Sequence, residues 1–168
     1  MHRKYIAALV LLTTLAACED DKAKGLVAPA ALPTQAVRAY VVQEPGATAD
    51  KVTLTIHVEA RGIPVAAYQG KLEFEPGSLE ILEATTPSED GTRIVNAKAR
   101  PGVVKFAGFA AESFAHTAAV TLVVKPKKAL ELANLLATLD VVGEAKGTQV
   151  AKEHVIVQKG VFTTIAKQ

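Results

Sequence analysis

The chain has no tryptophan and a single cysteine, and only 5% of its residues are aromatic. One cysteine has no intramolecular disulfide partner, so the 168 residues must be held by an apolar core. Charge of one sign is also missing. Removing the basic start, Arg3 and Lys4, leaves 17 basic residues against 17 acidic ones. A neutral chain without a basic cluster is a poor nucleic-acid binder, because phosphate contacts dominate that affinity. Catalytic signatures are absent too. His57, His116 and His154 do not form an i, i+4 pair, no CxxC stands beside them to suggest zinc, and no Gly-x-Ser-x-Gly elbow occurs. Glu73 and Glu75 share a strand face and read as solvated rather than as an acid/base couple. Ser88-Glu89-Asp90-Gly91 lacks the oxygen-ligand run of an EF-hand and reads as a turn. No cofactor, metal site or enzyme activity is implied.

The longest apolar run, Tyr5 to Leu15, follows His2-Arg3-Lys4. It is too short to cross about 30 Å of hydrocarbon as a helix and reads as a signal-peptide core. Leu15-Ala16-Ala17-Cys18 resembles the bacterial lipobox. That resemblance implies a diacylglycerol on the Cys18 thiol, cleavage before it, and a protein anchored to the extracytoplasmic side of a bacterial membrane. Residues 1–17 are then signal peptide and 18–36 a lipidated, flexible tether. Pro29 and Pro33 argue against a helix at the tether's end. Residues 37–168 suit one domain.

The domain is patterned as strands. In Thr53-Leu54-Thr55-Ile56-His57-Val58-Glu59 every second residue is apolar, the period of a half-buried strand. The same alternation places Tyr68, Leu72 and Phe74 inside and Gln69, Lys71 and Glu73 outside. Further strands are expected at Val37–Gln43, Leu79–Leu82, Arg93–Lys98, Val103–Phe109, Ala118–Lys125, Leu135–Gly143, Glu153–Gln158 and Gly160–Ile165. Pro45-Gly46, Arg61-Gly62, Pro76-Gly77, Pro101-Gly102 and Lys146-Gly147 punctuate them. Lys127–Asn134 is the one helix-like stretch. The fold class is all-β, a sandwich or barrel.

The segment from Ile63 to Ile81, IPVAAYQGKLEFEPGSLEI, resembles the signature of cohesin domains. A small-residue and aromatic strand ends there in an aromatic-acid-Pro turn, and a Leu-Glu-aliphatic strand follows. Val103–Phe109, Val120–Val124, Leu139–Val142 and Gly160–Thr164 match downstream in order. The resemblance implies a two-sheet antiparallel sandwich with jelly-roll topology and about nine strands. It also implies a non-catalytic module that binds dockerins, most familiarly in assemblies that degrade polysaccharides. The partner face would be the sheet holding the Tyr68 strand, with Gln69, Lys71, Glu73, Lys105 and Phe109 as candidate contacts. Ala67 and Gln69 stand where dockerin-binding relatives often carry Asn and Asp.

Two other readings stay open. A carbohydrate-binding module would show two or more exposed rings. Phe109 and Phe114, flanking Ala110–Ser113, are the one pair placed to supply them. An envelope protein that merely spaces or stiffens is the other.

Overall fold

The structure, a computed structural model, describes residues 29–48, 50–127 and 134–163. Cys18, the apolar segment before it and most of the Lys127–Asn134 stretch lie outside these. Among the described residues there are nine strands: β1 (Ala36–Gln43), β2 (Val52–Arg61), β3 (Val65–Glu73), β4 (Leu79–Thr85), β5 (Thr92–Arg100), β6 (Val103–Phe109), β7 (Ala118–Pro126), β8 (Leu136–Glu144) and β9 (Val155–Thr163).

They run in the order β4-β7-β2-β1-β9-β8-β3-β6-β5. Each neighbouring pair is antiparallel except β1 with β9. The order bends into two layers, β4-β7-β2-β1-β9 and β8-β3-β6-β5, joined where β9 makes two pairings with β8. This is the all-β jelly-roll sandwich that the strand pattern and the family resemblance implied.

The alternating residues meet between the layers. Val37, Val41, Leu54, Ile56, Leu122 and Val124 from one layer pack with Tyr68, Leu72, Val104, Phe106 and Val142 from the other. Close packing needs a bare backbone at Gly108. A Cβ there would come within 2.5 Å of the Tyr68 ring, which lies across it.

Three details depart from the sequence pattern. The two strands expected at the C-terminal end are one, β9, with Gly160 at φ 89° inside it. Ala39 pairs with Val157 but Val41 with Val161, so three residues of β9 oppose Tyr40 alone. A glycine that interrupts a strand pattern reads as a break, whereas here it is a bulge. The bulged residues Gln158 and Lys159 are those that pair with β8, while β9 pairs with β1 on either side of them. Second, Phe74 falls beyond the end of β3 and is only half-buried, against the core's rim. The Pro76-Gly77 turn starts too soon for the strand to carry Phe74 inward. Third, Lys71 and Glu73 point outward but are half-buried, because they pair with each other at 3.0 Å.

Part of the segment read as tether packs on the domain. Leu32 is 3% exposed. Arg38 Nη1 donates to the Ala30 carbonyl at 2.7 Å, and Arg61 Nη1 to the Leu32 carbonyl at 2.9 Å.

Candidate functional site

The strand parity of β3 turns Tyr68, Gly70 and Leu72 inward, and so turns Ala67, Gln69, Lys71 and Glu73 to the outer face. Register then sets their neighbours. On β6, Phe109 stands beside Ala67, Ala107 beside Gln69, and Lys105 beside Lys71. On β5, Thr92, Ile94 and Asn96 continue those rows. On the other side, Val141 of β8 stands beside Gln69 and Leu136 beside Glu73. All five candidate residues named from sequence therefore share this one face.

They are not equivalent. Glu73 is held by Lys71 and, at 3.5 Å, by Arg100. Among the described residues Lys105 and Asp140 have no ion pair. Phe109 and Ile94 are each 59% exposed and Val141 41%. Beside Ile94, Lys105 and Asp140 lies a depression of about 330 Å³, lined also by Gln69, Asn96 and Ala107.

Sequence reasoning missed Ile94, Asn96, Asp140 and Val141. Asp140 is the extra residue of a bulge, since Gln69 pairs with Val141 and Gly70 with Leu139. A bulge shifts the alternation, so parity counted along β8 fails there. On β5 the alternation inverts the usual rule: Arg93 is buried and its neighbour Ile94 is outside.

Arg93 tolerates burial because its charge is matched. It pairs with Asp90 at 2.5 Å, lies 4.4 Å over the Phe114 ring, and donates to the His116 carbonyl at 3.3 Å. The other Asp90 oxygen accepts the Ala115 and His116 amides at 2.7 Å each. Burial by itself would raise the Asp90 carboxyl. The Arg93 guanidinium and the two amides outweigh it and hold the group down at about 2. This clip fastens the 110–117 loop, which begins beside Phe109, to the turn before β5. The Ser88–Gly91 stretch is thus a turn with a structural carboxylate.

The clip also separates the two flanking rings. Phe114 turns back onto Tyr68, at 5.1 Å between centroids, and Phe109 points out. Among the described residues Phe109 is the one exposed aromatic, so no flat platform of rings forms. His57, on the polar side of the β2 alternation, is half-buried. Its ring stacks on Tyr40 at 5.1 Å and its Nδ1 lies 3.0 Å from the Thr117 hydroxyl. Burial pushes its pKa down. Among the described residues no three His, Cys, Asp or Glu side chains are placed to hold a metal ion.

No protein-family model matches the chain, and no curated protein does. Solved structures do match. The chain is similar to the CaCohA2 cohesin of Clostridium acetobutylicum in its complex with CaDoc0917, with a TM-score of 0.57 at 12% identity, over 76% of this chain and 99% of that one. It is similar to the OlpA cohesin in a type I cohesin–dockerin complex from Clostridium thermocellum, with a TM-score of 0.53 at 8% identity, over 76% and 99%. The cohesin module of a family 33 glycoside hydrolase from Clostridium perfringens scores 0.52 at 14% identity, over 77% and 99%. At such identities the likeness establishes the fold: the described domain is a cohesin-like β-sandwich.

Proposed function

We propose that this chain is a non-catalytic protein-binding module whose outer β8-β3-β6-β5 face docks a dockerin-like partner at the cell surface. One observation carries the reading. The outer sheet face leaves Phe109 and Ile94 more than half exposed, and Ile94 borders a depression edged by Gln69, Asn96 and Lys105. Exposed apolar residues clustered within a polar rim are the make-up of an interaction site. The cohesin structures it resembles include two solved with their dockerin-side partners, which supports the choice of partner class. One exposed ring among the described residues is a poor sugar platform, so protein is preferred to polysaccharide as the direct ligand. A role in a polysaccharide-related assembly would come through the partner.

The test uses the chain from Glu19 to Gln168, immobilised against a detergent extract of its own cell envelope and against purified dockerin modules. The expected result is retention of one partner by the unchanged chain and its loss with Phe109→Asp plus Ile94→Asp. Leu82→Asp, on the far strand β4, should retain it. A folded chain that retains nothing, or a double variant that binds as before, overturns the reading.

The anchor belongs to the same proposal: a lipid on Cys18 holds the module to the membrane. Cys18→Ser should abolish incorporation of a labelled fatty acid and release the protein from the membrane fraction or leave it uncleaved. More than one acyl chain is needed for stable attachment. Unchanged processing and unchanged membrane partition of Cys18→Ser would sink the lipobox reading.

A further inference from the structure

We propose that the partner meets β6 and β5 with a segment that is both apolar and acidic, and that Lys105 is the residue that selects it. This rests on the reading of the outer face as a docking surface and adds the chemistry of what docks there.

Charge on the face is sorted by strand. β6 and β5 expose Lys98, Arg100 and Lys105 and carry no carboxylate, whereas β8 carries Asp140 and Glu144 and no cation. β3, between them, holds Lys71 and Glu73 as a pair at 3.0 Å. Lys105 stands directly opposite Lys71, and like charges so placed in a sheet repel. Lys71 is turned to Glu73, and Glu73 also takes Arg100 at 3.5 Å. The one carboxylate on β3 is thus already shared between two cations. Among the described residues Lys98 and Lys105 have no ion pair. Lys98 and Arg100 lie on an edge strand, where cations also keep a second sheet away. Lys105 lies one strand in, so edge protection does not account for it.

The exposed apolar groups Ile94 and Phe109 are on the same two strands. Ile94 pairs with Ala107 and so is the diagonal neighbour of Lys105, at about 7–8 Å. Phe109 stands farther along β6, about 13 Å from Lys105. The depression beside Lys105 adds the Gln69 and Asn96 side chains. Asn96 Oδ1 already accepts the Lys98 backbone amide at 3.1 Å, so what Asn96 has left to offer is its amino group, a donor. A carboxylate seated there takes an ammonium and an amide donor, with an apolar residue beside it on Ile94. A basic segment would meet only like charge on β6 and β5.

Nuclear magnetic resonance titration of the chain from Glu19 to Gln168 tests this. The probes are a synthetic peptide of leucine and phenylalanine set among glutamates, and a counterpart with lysine at every glutamate position. The expected result with the acidic peptide is amide shifts at Ile94, Asn96, Lys105 and Phe109 and a Kd between about 0.1 and 5 mM. That Kd should rise at least about threefold between low and physiological salt. The basic counterpart should bind at least about tenfold more weakly, and Lys105→Glu should invert the order of the two peptides. Asp140→Asn should bind the acidic peptide as well as the unchanged chain or better. The urea midpoint of Lys105→Glu should stay level or rise, because the repulsion from Lys71 is gone. A midpoint that falls makes Lys105 a structural residue and overturns the proposal. Equal affinity for both peptides, shifts confined to other strands, an order that Lys105→Glu leaves unchanged, or no shift up to about 10 mM peptide overturns it too. Polygalacturonate that binds the same residues more tightly than the acidic peptide overturns it in favour of an acidic polysaccharide. A peptide preference that holds in a chain that captures nothing from the envelope ends the docking reading alone. Capture that survives both high salt and Lys105→Glu ends the acidic-partner inference alone.

Discussion

The two outer faces of the sandwich are built from similar residues and end in opposite states. On β8-β3-β6-β5, Phe109 and Ile94 are open to solvent, and among the described residues Lys105 has no ion pair. On β1 and β2, the outward Arg38 is 3% exposed although it is the more hydrophilic residue. It holds Glu59 Oε2 at 2.7 and 3.0 Å, bonds the Ala30 carbonyl, and lies 5.2 Å from the Tyr40 ring centroid. Tyr40 in turn stacks on His57 and meets the edge of Phe162 at 5.7 Å. One face spends its polar groups on the chain itself, where the segment before β1 lies against it. The other leaves polar and apolar groups available. A docking surface is therefore marked less by composition than by which groups remain without intramolecular partners.

Substitutions sharpen this contrast, and the largest effect belongs to the clip that shapes the open face from beneath. Asp90→Ala strands the Arg93 guanidinium in the interior and should cost about 3–5 kcal/mol, read as a lower urea midpoint. Leu72→Ala, in the core under the same strand, should cost about 2–5 kcal/mol, and more than Phe74→Ala at the rim. Equal midpoints for Leu72→Ala and Phe74→Ala would contradict the end of β3 at Glu73.

On the closed face, Arg38→Ala removes a buried guanidinium and leaves Glu59 and the Ala30 carbonyl without it. A loss of about 1–3 kcal/mol is expected, with faster proteolysis of the segment before β1. An unchanged midpoint would mean that the segment adds nothing to the closed face.

Acid should act through Asp90. Its carboxyl is held at about 2 in the folded chain against an ordinary 3.8, so the folded state binds the proton less readily than the unfolded one. The stabilisation is complete above pH 3.8 and is lost as pH falls through about 2, amounting to about 2 kcal/mol. Comparing melts of the unchanged chain and Asp90→Asn at pH 6 and pH 2.5 checks the sign: the gap between them should narrow in acid. A gap that widens would place the linkage elsewhere.

The smallest stability effect belongs to the open face. Phe109→Ala and Ile94→Ala should each stay within about ±0.5 kcal/mol by urea melt while abolishing partner retention. A substantial loss of stability at either would move that residue from docking into packing.

Much of this layout was legible from the chain alone. The period of two in β2 and β3 assigned Leu54, Ile56, Tyr68 and Leu72 to the interior, because a one-residue slip would bury a lysine and expose them. Turn residues marked most strand ends, and the family signature between Ile63 and Ile81 gathered Gln69, Lys71, Glu73, Lys105 and Phe109 onto one face. Parity failed at bulges and at inverted strands. Asp140 joined the site only because β8 carries an extra residue against β3, and Ile94 only because Arg93 could be buried. That burial depends on Asp90, Phe114 and the His116 carbonyl, which arrive from a turn and a loop up to 23 residues away. Local alternation tells which residues of a strand share a side. Which side meets the core is set by free energy summed over partners distant in the chain, and it is there that a buried ion pair can place an isoleucine in water.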